Sequence, residues 1–296
     1  MEDPNDPSQQ IDITRPLIGA TPVPYLVVGG ASGDAGGAAA NNIATFDVVN
    51  GWLPIGGGTD GPVLALTNYD PPDPSDERQW TAADGTTIPP TPELFYVANT
   101  PDIPNSLIIG GSFTNVDGLA AGNIALWTGD DVRNLASGRI NPMPGDPGTP
   151  PGAGFGGTEP TNFNINGPVH ALTVFDPPDP DGTGPLEDPE PVLIIGGDFT
   201  NAGGIAVTSL VAWGFIQGET DDTAQDYAPF LGWDDLGFNA AGAVIHALTT
   251  FNPPELNGAP NVDFRFLIVG GEFTFAGLDN IVGSDGTAWG WFSDTA

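Results

Sequence analysis

Apolar residues along this chain fall in short runs of Val, Ile and Leu, each stopped by Gly, Pro, Asp or Asn, and no stretch carries a convincing helical period. Short β-branched runs bounded by turn residues predict strands, and so an all-β fold. One run recurs four times, as Leu26-Val-Val-Gly-Gly30, Leu107-Ile-Ile-Gly-Gly-Ser-Phe-Thr114, Leu193-Ile-Ile-Gly-Gly-Asp-Phe-Thr200 and Leu267-Ile-Val-Gly-Gly-Glu-Phe-Thr274. Each copy of such a repeat is one supersecondary unit that buries its apolar faces only against its neighbours.

Three further segments recur around that phrase. The first is Gly61-Pro-Val-Leu-Ala-Leu-Thr-Asn-Tyr-Asp-Pro-Pro72, repeated from Gly167 to Pro178 and from Ala243 to Pro254. Neither of its alternating residue sets is polar throughout, which predicts a strand buried on both faces, and Pro-Pro ends the ladder. The Gly-Gly phrase supplies the second strand. A third ends in an aromatic, at Phe46, Trp127 and Trp213, with Trp289 or Trp291 in the last unit. The fourth is Gly51-Trp-Leu-Pro-Ile-Gly56, echoed from Phe230 to Gly237 and only faintly around Leu135.

Four-stranded units in tandem predict a β-propeller of about four long repeats. The units span about 24–60, 61–166, 167–242 and 243–296, after an N-terminal extension over 1–23. Their spacing exceeds the roughly 40–50 residues usual for a blade. Long loops rich in Pro, Gly, Asp and Thr therefore account for 71–93, 137–166, 177–191 and 215–229.

The run Ile195-Gly-Gly-Asp-Phe-Thr-Asn-Ala-Gly-Gly204, with Ile124-Ala-Leu-Trp127, Trp233-Asp-Asp-Leu-Gly237 and Val169-His-Ala-Leu-Thr-Val-Phe-Asp176, resembles the kelch-like propeller repeats of the fungal cortical cell-polarity marker and of many bacterial surface proteins. The resemblance covers most of 24–296 outside the insertions. It implies a propeller in a surface or scaffolding context and carries no catalytic residues. Unit one departs from it, with Ala31 and Ser32 where Asp-Phe stands elsewhere.

Charge narrows the partners. The 38 acidic residues face only five arginines and no lysine, giving a net charge of −33. Such a surface repels phosphate backbones and anionic headgroups, so nucleic acid and membrane surfaces are poor partners, and divalent cations, neutral glycans or further copies of the chain are favoured. The 43 Gly and 32 Pro fit many turns between short strands. Without cysteine there is neither a disulfide framework nor a thiolate metal site. No run approaches the roughly 18 apolar residues of a membrane span. Met1-Glu-Asp-Pro4 lacks the basic start of a signal peptide, so processing or another route of export is expected. The acidic, lysine-free composition points to an extracellular or cell-surface setting.

Candidate chemistry is sparse. His170 and His246 occupy one position in two copies of the first strand, where the other copy has Leu64. With Asp198 and Glu272 they could gather a metal, but a position that accepts Leu favours packing histidines. In the loop after the third unit's first strand, Asp176, Asp179, Asp181, Glu187 and Asp188 place carboxylates at near-alternate positions ahead of a Gly turn, which suits Ca²⁺ although the EF-hand pattern is not met. Asp70, Asp73, Asp76 and Glu77 form a poorer version. Asp221-Asp222 and Asp234-Asp235 are not glycosidase dyads, because adjacent strand residues point to opposite faces. Nucleophile and phosphate-loop motifs are absent. Trp80 lies outside the repeat positions and would fit sugar stacking.

The ends look incomplete. Unit one begins at its Gly-Gly strand, and unit four shows no Trp-x-x-Leu-Gly strand, so two strands are missing. Ile11-Asp-Ile-Thr-Arg-Pro-Leu-Ile-Gly19 is a spare strand that could close the last blade. The expectation is a non-enzymatic, extracellular scaffold that forms a homopolymer in which 1–23 contacts either the last blade of its own chain or an adjacent subunit. The alternative is a glycan-binding or glycan-cleaving propeller that uses the long loops.

Overall fold

A computed structural model describes residues 25–69, 80–81, 87–88, 106–127, 140–142, 165–177, 191–216, 230–252, 265–286 and 288–290. These residues form strands and turns with no helix. Four antiparallel meander sheets follow one another in chain order. Sheet 1 holds Leu26–Gly29, Ile43–Asp47 and Gly51–Pro54. Sheet 2 holds Val63–Tyr69, Ser106–Gly111, Ile124–Trp127 and Ile140–Pro142. Sheet 3 holds Val169–Phe175, Val192–Gly197, Leu210–Ile216 and Phe230–Asp234. Sheet 4 holds Val244–Phe251, Phe266–Phe275, Leu278–Ser284 and Trp289–Gly290.

Two expectations are corrected here. Trp289 does not end a third strand: it pairs with Ser284 as Trp52 pairs with Phe46 and Trp233 with Trp213, which makes it the fourth-strand tryptophan. Sheet 4 therefore has four strands, and among the described residues the one strand of the repeat pattern without a counterpart is the first strand of sheet 1. The fourth strand of sheet 2 is Ile140–Pro142, whereas Leu135 and Ile11–Gly19 lie outside the described residues.

The sheets stack face to face, and strand alternation assigns each side chain to a junction. Ile109, Ala125 and Trp127 of sheet 2 pack with Ile43 of sheet 1 and with Ile55, which directly follows its last strand. Their neighbours Ile108, Ile124 and Leu126 point the other way and pack with Leu193, Ile195, Val211 and Trp213 of sheet 3. Ile194, Leu210 and Ala212 in turn meet Ile245, Leu267 and Val269 of sheet 4. Full burial of each such aliphatic side chain contributes about 1.5–3 kcal/mol. Sheets 2 and 3 are thus apolar on both faces, as buried sheets must be. The first strands, however, are not buried on both faces throughout, since in Val244–Phe251 only Ile245 is buried.

The Gly-Gly phrase is explained by two close approaches. A Cβ on the first glycine would collide with a β-branched side chain of the next sheet: Gly29 with Val63 Cγ1 at 2.4 Å, Gly110 with Val169 Cγ1 at 2.5 Å, Gly196 with Ile245 Cγ2 at 2.6 Å. A Cβ on the second would collide with the carbonyl of the first strand in its own sheet: Gly111 with Pro62 O at 2.1 Å, Gly197 with Pro168 O at 2.0 Å, Gly271 with Val244 O at 2.1 Å. The first strand of each sheet therefore does two jobs at once, covering a glycine beside it and filling a socket in the preceding sheet.

Polar latches complete the junctions. Asn42, Asn123 and Ser209 directly precede the third strands with left-handed backbone, at φ 72°, 63° and 64°, and Asn280, at φ 66°, holds the equivalent register position inside Leu278–Ser284. From there Asn42 Nδ2 donates to Thr59 O at 2.8 Å, Asn123 Nδ2 to Ile165 O at 2.8 Å and Ser209 Oγ to Ala243 O at 2.6 Å. Each of these bonds reaches the chain that enters the next sheet.

Candidate functional site

The histidine row comes from a backbone irregularity. In each of the three first strands the register shifts by one residue, between Val63 and Ala65, Val169 and Ala171, and Ile245 and Ala247. Leu64, His170 and His246 are the extra residues, and bulges of this kind re-aim a side chain. His170 and His246 stack with ring centroids 5.6 Å apart and planes 9° from parallel. His246 Nε2 lies 3.1 Å from Glu272 Oε1, both side chains being exposed. Asp198 is exposed, and its backbone N–H donates to Pro168 O. Among the described residues no group of three or more His, Asp or Glu is placed to hold a metal ion. The two rings pack against each other across neighbouring sheets, while Leu64 at the equivalent place is exposed.

Of the acidic candidates, Asp176 pairs with Arg265 through Oδ2 and Nη1. Asp179, Asp181, Glu187 and Asp188 lie outside the described residues, as do Asp70, Asp73, Asp76, Glu77, Asp221 and Asp222. Asp234 and Asp235 serve a turn: their Oδ1 atoms accept the backbone N–H of Leu236 at 2.5 Å and of Gly237 at 3.0 Å. Trp80 begins a small hairpin in which it pairs with Ile88.

A feature the residue patterns did not single out is the pair of open faces at the ends of the stack. In sheet 1, Leu26 is 58% exposed and Val28 40%. In sheet 4, Phe251 is 49% exposed and Ile281 41%, although their counterparts Tyr69, Phe175, Ile124 and Leu210 are buried. Leu26–Gly29 is also an edge strand among the described residues, with one side of its backbone unpaired by any sheet partner. Apolar faces joined to an open edge are interaction surfaces when they persist in a folded chain. The signal for them lay in the repeat itself, which requires a neighbour at each end.

No family model matches the chain, and comparison with curated proteins and with solved structures finds no match.

Proposed function

We propose that the four sheets are blades of a kelch-like β-propeller scaffold and that the protein is a non-enzymatic, extracellular structural component that assembles with copies of itself. The observation that carries this reading is the pair of uncovered apolar faces on sheets 1 and 4. The acidic surface supports an extracellular setting and keeps chains apart except where these faces meet, since like charges repel over a Debye length. In this reading the N-terminal segment 1–23 takes part in the assembly, with the last blade of its own chain or with an adjacent subunit as its partner.

Light scattering on the purified chain over a wide concentration range tests the reading. Mass that grows with concentration, and that falls when 1–23 is deleted from a chain of unchanged circular dichroism, is the expected result. A mass of one chain at every concentration removes it.

A further inference from the structure

We propose that the exposed face of sheet 4 is the docking site for sheet 1 of a second copy of this chain, so that copies join head to tail. The proposal rests on the self-assembly reading and names its junction.

The argument starts from the two glycine contacts. Three first strands each fill a socket in the preceding sheet and cover a glycine in their own. Where the first strand of sheet 1 is vacant among the described residues, two glycines are left bare, at opposite ends of the stack. A Cβ on Gly30 would meet nothing within 4 Å, although its equivalents Gly111, Gly197 and Gly271 are covered. A Cβ on Gly270 would meet only Ala247 and Asn280 atoms of its own sheet, at 3.8–3.9 Å, although its equivalents Gly29, Gly110 and Gly196 are filled. One strand completing sheet 1 and lying against sheet 4 satisfies both.

The rest of the two faces agrees with that placement. Register makes Phe251, Ile268, Gly270 and Ile281 the counterparts of Phe175, Ile194, Gly196 and Leu210, the surface of sheet 3 that sheet 4 covers. Register likewise makes Leu26 and Val28 the counterparts of Leu193 and Ile195, the residues with which sheet 3 covers sheet 2. The polar latch is also in place. Asn280 holds the left-handed backbone of Asn42 and Asn123, yet its side chain makes no hydrogen bond among the described residues. Its counterparts spend that amide on the chain entering the following sheet, which for sheet 4 belongs to the incoming copy. Because Leu26 and Val28 stay exposed while Phe251 and Ile281 do as well, the two faces do not cover each other within this chain. A junction between unlike faces is heterologous and propagates into a filament unless its rotation closes a ring.

The experiment fills the socket. Gly270→Leu places a side chain where the internal packing has room, so circular dichroism and melting temperature at low concentration stay those of the wild type. Its assembly midpoint, measured by light scattering, shifts to at least about tenfold higher concentration. If wild type assembles and Gly270→Leu assembles equally well, the junction is elsewhere and this proposal falls while the self-assembly reading stands. A wild type that never exceeds one chain sinks both. In parallel, a full-length Val28→Cys/Ile281→Cys variant is oxidised, which is a clean probe because the chain has no cysteine of its own. A ladder of disulfide-linked multimers is expected. A product locked within single chains overturns the second copy as the occupant.

Discussion

Ile245 stands where a side chain on Gly196 would have to go, with its Cγ2 only 2.6 Å from the position of a Cβ there. Both partners are fixed by their strands, and a β-branched side chain has no other rotamer that clears the space at low cost. Gly196→Ala is therefore an overpacking substitution and should destabilise by about 1–3 kcal/mol. Gly270→Ala, in the same place one sheet later, meets only ordinary contacts and should be neutral or slightly stabilising, by up to about 1 kcal/mol, because it restricts the unfolded chain. Urea denaturation of the two variants at low concentration checks the contrast. Equal losses would mean that the sockets are not what the Gly-Gly phrase serves.

Asn123 offers a second contrast. Its Oδ1 accepts the Phe113 N–H at 3.2 Å while its Nδ2 donates to Ile165 O, from a backbone at φ 63°. Asn123→Ala loses both bonds and sets a Cβ residue in left-handed space without a local partner. Together these changes should cost about 2–4 kcal/mol. Asn123→Gly restores the backbone freedom but not the bonds, so it should recover about 1 kcal/mol of that loss. Thermal melts of both variants measure the difference. Identical melting temperatures would show that the backbone conformation carries no cost there.

Much of this architecture is legible from residue order because the Gly-Gly phrase and the Val-x-Ala-Leu-Thr strand each satisfy a local packing demand that repeats. What is illegible follows from substitutions that move a role to another strand. In sheet 4 the place of Trp213 is taken by Ser284, while Trp289 keeps the fourth-strand place of Trp233, so an aromatic sought on the third strand is found on the wrong one. The latches are hidden for a different reason. Asn42, Asn123 and Ser209 share a backbone conformation rather than a residue type, and Asp60 and Asn166 share a hydrogen-bonding role across a change of charge. Exposure at the two ends is a property of the stack and is written in no single segment.

Calcium binding by the loop that begins at Asp176 has its own signature. Binding to the folded state raises the melting temperature in proportion to the logarithm of free Ca²⁺. Asp176 already pairs with Arg265, so bound calcium would have to draw on the carboxylates of Asp179, Asp181, Glu187 and Asp188. Asp179→Asn/Asp181→Asn should abolish the calcium-dependent rise without shifting the melt in EDTA. A melting curve that is the same in calcium and in EDTA for the wild type would leave the loop as a solvated acidic turn.

Acid should release the latch at Asp60. Its Oδ1 accepts the backbone N–H groups of Thr114 at 2.8 Å and Asn115 at 2.9 Å, and its Oδ2 accepts Thr114 Oγ1 at 2.7 Å and Asn115 Nδ2 at 2.8 Å. These bonds, those from the Asn115 side chain and backbone foremost, hold the carboxyl well below the usual carboxylate range. A folded-state value below the unfolded one, about 3.9, means stabilisation that is complete above pH 4 and lost as pH falls through the folded value. Other carboxylates titrate in the same range, so the wild type alone cannot isolate this one, but a variant that shares all the others can. Asp60→Asn is suited to that comparison because Asn166 does the same work in sheet 3, where its Oδ1 accepts the N–H groups of Thr200 at 2.9 Å and Asn201 at 3.0 Å. The variant should melt a few degrees below wild type at pH 7. That gap should stay constant down to about pH 4 and shrink below it, as protonation removes from the wild type what the amide already lacks. Melting curves at matched ionic strength between pH 2 and 7 read the gap directly. A gap that does not narrow on acidification would show that the Asp60 charge plays no part in holding Thr114 and Asn115 to the segment that enters Val63–Tyr69.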